Sequence, residues 1–222
     1  MRMGERRIVA VGGDPWPVYE HVLGLVRRSP RVLWVGTASA EHPWYALEIY
    51  QRLEGRADVR RADFFPWPAE DLRERALASD VIVVGGGNTA NMLAIWRVHG
   101  FDAILREAWE QGTVLTGVSA GMICWFEAGV TDSFGPQLGG MRDGLGFLPG
   151  SACPHYDGEE LRRPTYTRLV DEEFPPGYAA DDGVGLHFVG TELAEVWTSR
   201  EDATAYRVEP GSETALDARL LG

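Results

Sequence analysis

The sequence predicts an α/β protein with a doubly wound, mostly parallel sheet in three layers and an antiparallel C-terminal extension. Three observations predict it. Short apolar runs alternate with helix-like stretches through the first half of the chain. Those runs, such as RVLWV at 31–35 and DVIVV at 80–84, are apolar at nearly every position, as strands buried on both faces are. Two of them end in glycine-rich turns, at 85–89 and 117–121, and open α/β sheets bind ligands beyond the carboxyl ends of their strands.

The elements follow in order. RIVAV at 7–11 is a first strand, ended by Gly12-Gly13-Asp14. Over 15–28, Val18, Val22, Leu25 and Val26 recur at helical spacing, and Pro30 stops the helix. The strand at 31–35 ends at Gly36, and WYALEIYQRL at 44–53 reads as an amphipathic helix. A third strand spans 59–65, closed by Pro66, and a short helix spans 70–78. The strand at 80–84 enters Gly85-Gly86-Gly87-Asn88-Thr89, and two helices, 91–98 and 101–110, are split at His99-Gly100. Thr113, Val114, Thr116 and Val118 mark another buried strand, which runs through Gly117-Val118-Ser119-Ala120-Gly121 into a helix-compatible stretch. Residues 129–150 carry too many glycines for a core element and read as a lid or site-forming loop. A helix spans 161–173 with Pro164 suited to its first turn. Residues 178–198 read as antiparallel strands that turn at Asp182-Gly183 and Gly190-Thr191, and 206–208 is a last strand. No repeat or linker interrupts the 222 residues, so 1–222 is expected to be one domain.

Bulk properties narrow the function. Hydrophobic content of 45% fits a normal core, and the formal charge of −12 argues against nucleic acid and anionic membrane as partners. An acidic ligand in so negative a chain needs a local cluster of arginines. The two cysteines, Cys124 and Cys153, have no C-x-x-C spacing. That fits a reducing compartment and excludes a cysteine-based zinc site or a disulfide framework. The opening MRMGERRIVAVGG has too short an apolar run for a signal peptide or a membrane span. The expectation is a cytoplasmic, soluble protein, monomeric or homodimeric, without metal or cofactor.

Gly117-Val118-Ser119-Ala120-Gly121 is G-x-S-x-G between a strand and a helix, the setting of a nucleophile elbow. Such a turn lifts the Ser119 hydroxyl out of the sheet top in a strained conformation, which small neighbours permit. A serine nucleophile needs a base and a group that orients the base. Of the five histidines, His21, His42, His99 and His187 fall in a helix, a connecting loop, a helix junction and an alternating strand. His155 stands apart, in CPHYD just after the glycine-rich stretch, where a loop can fold over the elbow. The Gly85-Gly86-Gly87 loop has three readings: a passive turn, a phosphate cradle matching G-x-G-x-x-A, or an oxyanion hole opposite Ser119. No acidic strand end follows where a dinucleotide site places one, and no G-K-[ST] follows the glycines.

Taken together, the strand-Gly85-Gly86-Gly87-Asn88-Thr89 segment, the strand-Gly117-Val118-Ser119-Ala120-Gly121 segment and Pro154-His155-Tyr156 resemble the peptidase E family of serine peptidases. These are aspartyl dipeptidases related in fold to class I glutamine amidotransferase domains. The similarity covers most of the chain. It implies Ser119 as nucleophile and His155 as general base, with backbone N–H groups of Gly87 and Ala120 on the oxyanion and Gly86 as a substitute for Gly87. It implies Asn88, Arg163 and Asp182 at substrate-binding positions. Arg163, near Arg162 and Arg168, matches the carboxylate-binding arginine, which bidentate pairing favours; local neutralisation by Glu159-Glu160 is the other reading. Asp182 precedes a glycine at a position bordering the site, as a receptor for the substrate's amine or as a plain turn. For the third triad member the family's spacing favours Ser133, whereas a carboxylate's chemistry favours Asp132.

The resemblance thus implies a dipeptidase that hydrolyses Asp-X peptides by acyl transfer. The alternatives are a nucleotide-binding protein using the Gly85 loop and a cyanophycinase-like hydrolase. A glutaminase-like activity would want cysteine at the elbow, and Cys124 lies past it.

Overall fold

The computed structural model describes residues 5–26 and 29–222. Residues 1–4 and 27–28, which carry part of the N-terminal reading and the end of the helix predicted over 15–28, lie outside the described residues. Strands β1 (Arg7–Val11), β2 (Arg31–Val35), β3 (Asp58–Ala62), β4 (Val81–Val84) and β5 (Val114–Val118) run parallel in one sheet. Helices α1 (Trp16–Gly24), α2 (Pro43–Leu53), α3 (Leu72–Ala78), α4 (Thr89–Val98) and α5 (Phe101–Glu110) alternate with them. The α/β class and the parallel sheet read from the sequence are therefore observed.

The inner strands β1, β2, β4 and β5 are apolar at nearly every position because both faces are covered, whereas the edge strand β3, DVRRA, exposes Asp58 and Arg60. On β1, Val9 and Val11 pack with Val18, Tyr19 and Val22 of α1 and with Ala46, Ile49 and Leu53 of α2. The alternating Ile8 and Ala10 face the opposite layer, where α4 contributes Met92, Leu93 and Trp96 and α5 contributes Phe101, Leu105 and Trp109. Each buried Val, Leu, Ile, Phe or Met side chain contributes about 1.5–3 kcal/mol, so the two layers fix which helix lies on which face.

After β5 the helix α6 is a single turn, Ala120–Ile123. The chain then builds a second sheet from β6 (Phe126–Thr131), β7 (Gly139–Met141) and β8 (Leu148–Cys153). After helix α7 (Arg162–Asp171), strand β9 (Gly177–Ala180) joins the same sheet beside β8. Strands β10 (Val184–Val189) and β11 (Glu192–Thr198) return to the first sheet, antiparallel, with β14 (Arg219–Leu220) beyond them. A hairpin of β12 (Ala205–Glu209) and β13 (Ser212–Ala215) closes the second sheet on β9. The final orders are β14-β11-β10-β1-β5-β4-β2-β3 and β13-β12-β9-β8-β6-β7.

Two expectations are corrected here. Residues 129–150 are not a loop without core elements: three strands begin, lie or end within the segment. Their glycines serve close packing, because a Cβ on Gly129 would lie 2.6 Å from Ile123 Cγ2 and one on Gly140 2.6 Å from the Phe174 ring. The antiparallel extension is also not one unit, since β9 and β12 belong to the second sheet and β10 and β11 to the first. Among the described residues no helix is long and apolar enough to cross a membrane.

Candidate active site

In the first sheet β1, β5 and β4 are neighbours, so Gly12-Gly13, Ser119 and the Gly85 loop emerge side by side at their carboxyl ends. Ser119 sits at φ 57°, ψ −111° between β5 and α6. For a residue with a side chain this region costs on the order of 1–3 kcal/mol, and the surroundings enforce it. The Ser119 N–H donates to the Val11 carbonyl at 3.1 Å, and its carbonyl accepts from Met122 and Ile123 N–H. The two glycines of the motif are steric requirements. A Cβ on Gly117 would come 2.5 Å from the Gly121 carbonyl oxygen, and one on Gly121 would come 2.4 Å from that of Val84. The elbow therefore folds only with glycine on both sides, packed directly on β4.

The Gly85 loop lies against the same serine. The Gly85 N–H donates to the Val35 carbonyl and that of Asn88 to the Ala38 carbonyl. The intervening Gly86 is so close that its Cβ would lie 3.3 Å from Ser119 Cβ. Gly87 has φ +134° and presses on the Ala38 carbonyl, where a side chain would meet oxygen at 2.3 Å. The N–H groups of Gly86, Gly87 and Ala120 find no acceptor among the described residues.

The second sheet supplies the candidate base. Strands β8 and β9 are parallel neighbours, with Cys153 opposite Ala179, so the residues just past each strand meet. His155 and Asp182 are those residues, and His155 Nδ1 lies 2.8 Å from Asp182 Oδ1. An ionised carboxylate only accepts, so the shared proton belongs to Nδ1 and the neutral ring keeps a free lone pair on Nε2. Asp182 is held from three sides. Its N–H donates to Asp157 Oδ1 at 2.8 Å, the Arg200 guanidinium donates to its carbonyl and to Asp157, and Gly13 bridges to it. A Cβ on Gly13 would come 1.7 Å from Asp182 Oδ1 and 2.7 Å from His155 Nδ1, so the end of β1 must be glycine for this pair to stand there.

Ser119 and His155 line one cleft of about 740 Å³, together with Gly85, Gly86 and Gly87. No hydrogen bond joins the Ser119 hydroxyl to the imidazole in this structure; contacts of this kind are often long until substrate binds.

The other predicted site residues lie elsewhere. Strand β8 is flanked by β9 on one side and β6 on the other, and the ring is bonded on the β9 side. Past β6, Ser133 is tied to α4: its hydroxyl accepts from Ala90 N–H at 3.2 Å and meets Thr131 Oγ1 at 2.7 Å. Asp132 is exposed. Neither residue lines the cleft. Asn88 caps α4 through Asn91 N–H and donates to the Ser133 carbonyl, so its side chain holds a loop. Arg163 pairs with Glu213 and stacks over Tyr156 and Tyr206 at 5.4 and 4.9 Å, away from the cleft lining. Asp182 bonds the imidazole, a partner that neither alternative read from the sequence, amine receptor or plain turn, had given it.

Several cleft residues escaped the sequence reading. Asp14 and Trp16 follow β1, and His42, Tyr45, Glu48, Ile49 and Arg52 come from α2 and its cap. Their signal is the spacing 42, 45, 48 and 52, a second stripe beside the buried Ala46, Ile49 and Leu53. Among the described residues no three His, Cys, Asp or Glu side chains gather as a metal site requires. Both cysteines are free and buried, and burial pushes their thiols up, Cys153 to about 12.

Beside the pair, Asp181 is buried and its carboxyl is pushed up to about 6, first by desolvation, with the Thr204 N–H opposing and the Asp157 charge adding. A folded value above the ordinary 3.8 means that the folded state binds the proton more tightly. The stability this group adds is therefore full at low pH and is lost as pH rises from about 4 to about 6. Asp181→Asn keeps an oxygen for Thr204 and removes the buried charge. Thermal melts are expected to show the variant more stable than the parent at pH 7.5, on the order of 1 kcal/mol, and no more stable at pH 4.

The sequence model of Peptidase family S51 matches residues 13–196. The uncharacterized peptidase YgaJ of Bacillus subtilis (strain 168) is 45% identical over 231 residues, covering 98% of this chain and all of the relative. A crystal structure of a peptidase from an acI-B1 Actinobacterium superposes with a TM-score of 0.67 at 17% identity, covering 97% of this chain and 95% of that one. A candidate peptidase E protein from Listeria monocytogenes EGD-e gives 0.64 at 19% identity, covering 86% and 98%. At those identities the two structures speak to the fold.

Proposed function

The chain belongs to peptidase family S51, and on that footing we propose that it is a serine peptidase that removes the first residue of short peptides. The observation that carries the reading is the strained Ser119 facing one cleft with an imidazole already bonded to a carboxylate. In the proposed mechanism Ser119 Oγ attacks the scissile carbonyl while His155 Nε2 takes its proton. Asp182 holds the Nδ1–H and stabilises the imidazolium. The oxyanion is received by the N–H of Ala120 and that of Gly86 or Gly87; removing one such donor typically costs about a hundredfold or more in rate. His155 then protonates the leaving amine, and water, activated by the same nitrogen, releases the acyl group and restores the serine. Asp14 lines the cleft next to Gly13, and no arginine pairs with its carboxylate among the described residues. It is the proposed receptor for the substrate's free ammonium.

A phosphate cradle is the weaker reading of the Gly85 loop. One of its N–H groups is tied to β2, and the Trp34 ring packs so closely that a Cβ on Gly85 would meet it at 2.7 Å. Glutaminase-like chemistry is disfavoured by the burial of Cys124 within the turn after the elbow. Specificity for Asp-X, which the family resemblance implied, requires a cation in the cleft. Arg52 is the arginine that lines it, and Arg52 in place of Arg163 is the second reading of specificity.

The test is covalent. A fluorophosphonate reagent is expected to add once to the protein, at Ser119 by peptide mass mapping, and to stop hydrolysis of a dipeptide panel in proportion to labelling. Full labelling at another residue, or none with hydrolysis intact, would overturn the serine mechanism.

A further inference from the structure

We infer that this cleft selects a large apolar or aromatic first residue, and not an aspartate; the inference rests on the peptidase reading above. The first ground is the lining. Trp16, Trp34, Tyr45 and Ile49 line the same cleft as the Gly85 loop. The Trp34 indole lies against Gly85, one residue from the glycine that approaches Ser119. A cleft of about 740 Å³ is ample for one large side chain together with the peptide bond to be cut.

The second ground is charge. Among the described residues, Asp14 and Glu48 face the cleft against a single guanidinium, that of Arg52. That guanidinium is already matched: Arg52 Nε lies 3.5 Å from Glu48 Oε1 and the group stacks over Trp16 at 4.5 Å. Glu48 also accepts from the Trp16 indole N–H at 2.9 Å. Trp16, Glu48 and Arg52 thus close on one another, and a substrate carboxylate would have to displace Glu48 in a chain of net charge −12. An uncharged side chain meets no such competition.

The third ground is sequence proximity. Asp14, the proposed amine receptor, and Trp16 are two residues apart on one short loop after β1. A residue whose ammonium sits on Asp14 has its side chain in the cleft that Trp16 and Trp34 also line. The apolar pocket therefore belongs to the first residue and not to the leaving one. Pockets of this type discriminate by about 10–200-fold per methylene-scale change in fit.

The experiment measures kcat/KM for Phe-Gly, Leu-Gly, Asp-Gly, Gly-Gly and Gly-Phe with the parent chain and with Tyr45→Ala. Tyr45 is half-exposed on α2, so its truncation spares the core. Phe-Gly and Leu-Gly are expected to exceed Asp-Gly and Gly-Phe by at least about tenfold, and Tyr45→Ala to lower the Phe-Gly to Gly-Gly ratio by about tenfold. A preference for Asp-Gly, a preference for Gly-Phe, or an unchanged ratio in the variant would each overturn the inference while leaving a peptidase. Cleavage of none of the five by a folded protein would overturn the peptidase reading and the inference with it.

Discussion

Replacing Ser119 with alanine is expected to lower dipeptide hydrolysis by at least about four orders of magnitude while the protein melts at the temperature of the parent. The size follows from the role. When nucleophile and base act as a unit, deleting the nucleophile removes nearly the whole catalytic advantage and leaves what binding and the oxyanion hole supply. Unchanged stability follows from the structure. Among the described residues the Ser119 hydroxyl has no hydrogen-bond partner, and its backbone contacts to Val11, Met122 and Ile123 involve N–H and C=O groups that alanine keeps. Serine and alanine carry the same strain at φ 57°, so the difference in stability should stay within about 0.5 kcal/mol. Initial rates by product chromatography and a thermal melt on the same preparation provide the check. Residual turnover above about one part in a hundred, from a preparation free of parent enzyme, would remove Ser119 as nucleophile.

How far the site was legible depended on whether a residue's role is set by neighbours in sequence or by neighbours in space. The elbow is local: glycines two residues either side of Ser119 are dictated by a turn that closes within five residues, so the pattern was readable. So were the inner parallel strands of the first sheet, because burial on both faces writes a nearly unbroken apolar run; β1 and β2 begin and end where the runs do. The second sheet was not readable as a sheet. Its glycines, Gly129 and Gly140 among them, make room for Ile123 and Phe174, and glycine chosen for contact looks the same in sequence as glycine chosen for a turn. The Gly13 requirement is of the same kind, since what it accommodates is the side chain of Asp182, far along the chain. Arg163 misled because an arginine's partner is a spatial fact: Glu213 comes from a hairpin fifty residues on. Arg52, on a helix read only for its buried stripe, faces the cleft instead.

The same distinction decides the third member of the proposed triad, and a pair of variants separates the alternatives. Sequence spacing counted forward from Ser119 points to the end of β6, to Ser133 or Asp132. Strand order points to the end of β9, because β8 presents His155 between the two and only Asp182 is bonded to the ring. Asp182→Asn keeps the shape but can donate to Nδ1, which would push the ring proton onto Nε2 and leave no lone pair for Ser119. Its kcat is expected to fall by about 10³–10⁴ at pH 7, and the downfield Nδ1–H resonance of His155 is expected to disappear from the proton spectrum. Ser133→Ala is expected to keep hydrolysis within about threefold. It leaves the Ala90 N–H without its acceptor and so should cost about 1 kcal/mol of stability. Asp132→Ala, at an exposed position, should change neither. A kcat collapse in Ser133→Ala or Asp132→Ala, with Asp182→Asn active and its Nδ1–H signal intact, would move the orienting role to the β6 side. The imidazole would then have to turn about its own bonds before each turnover, away from the carboxylate that holds it.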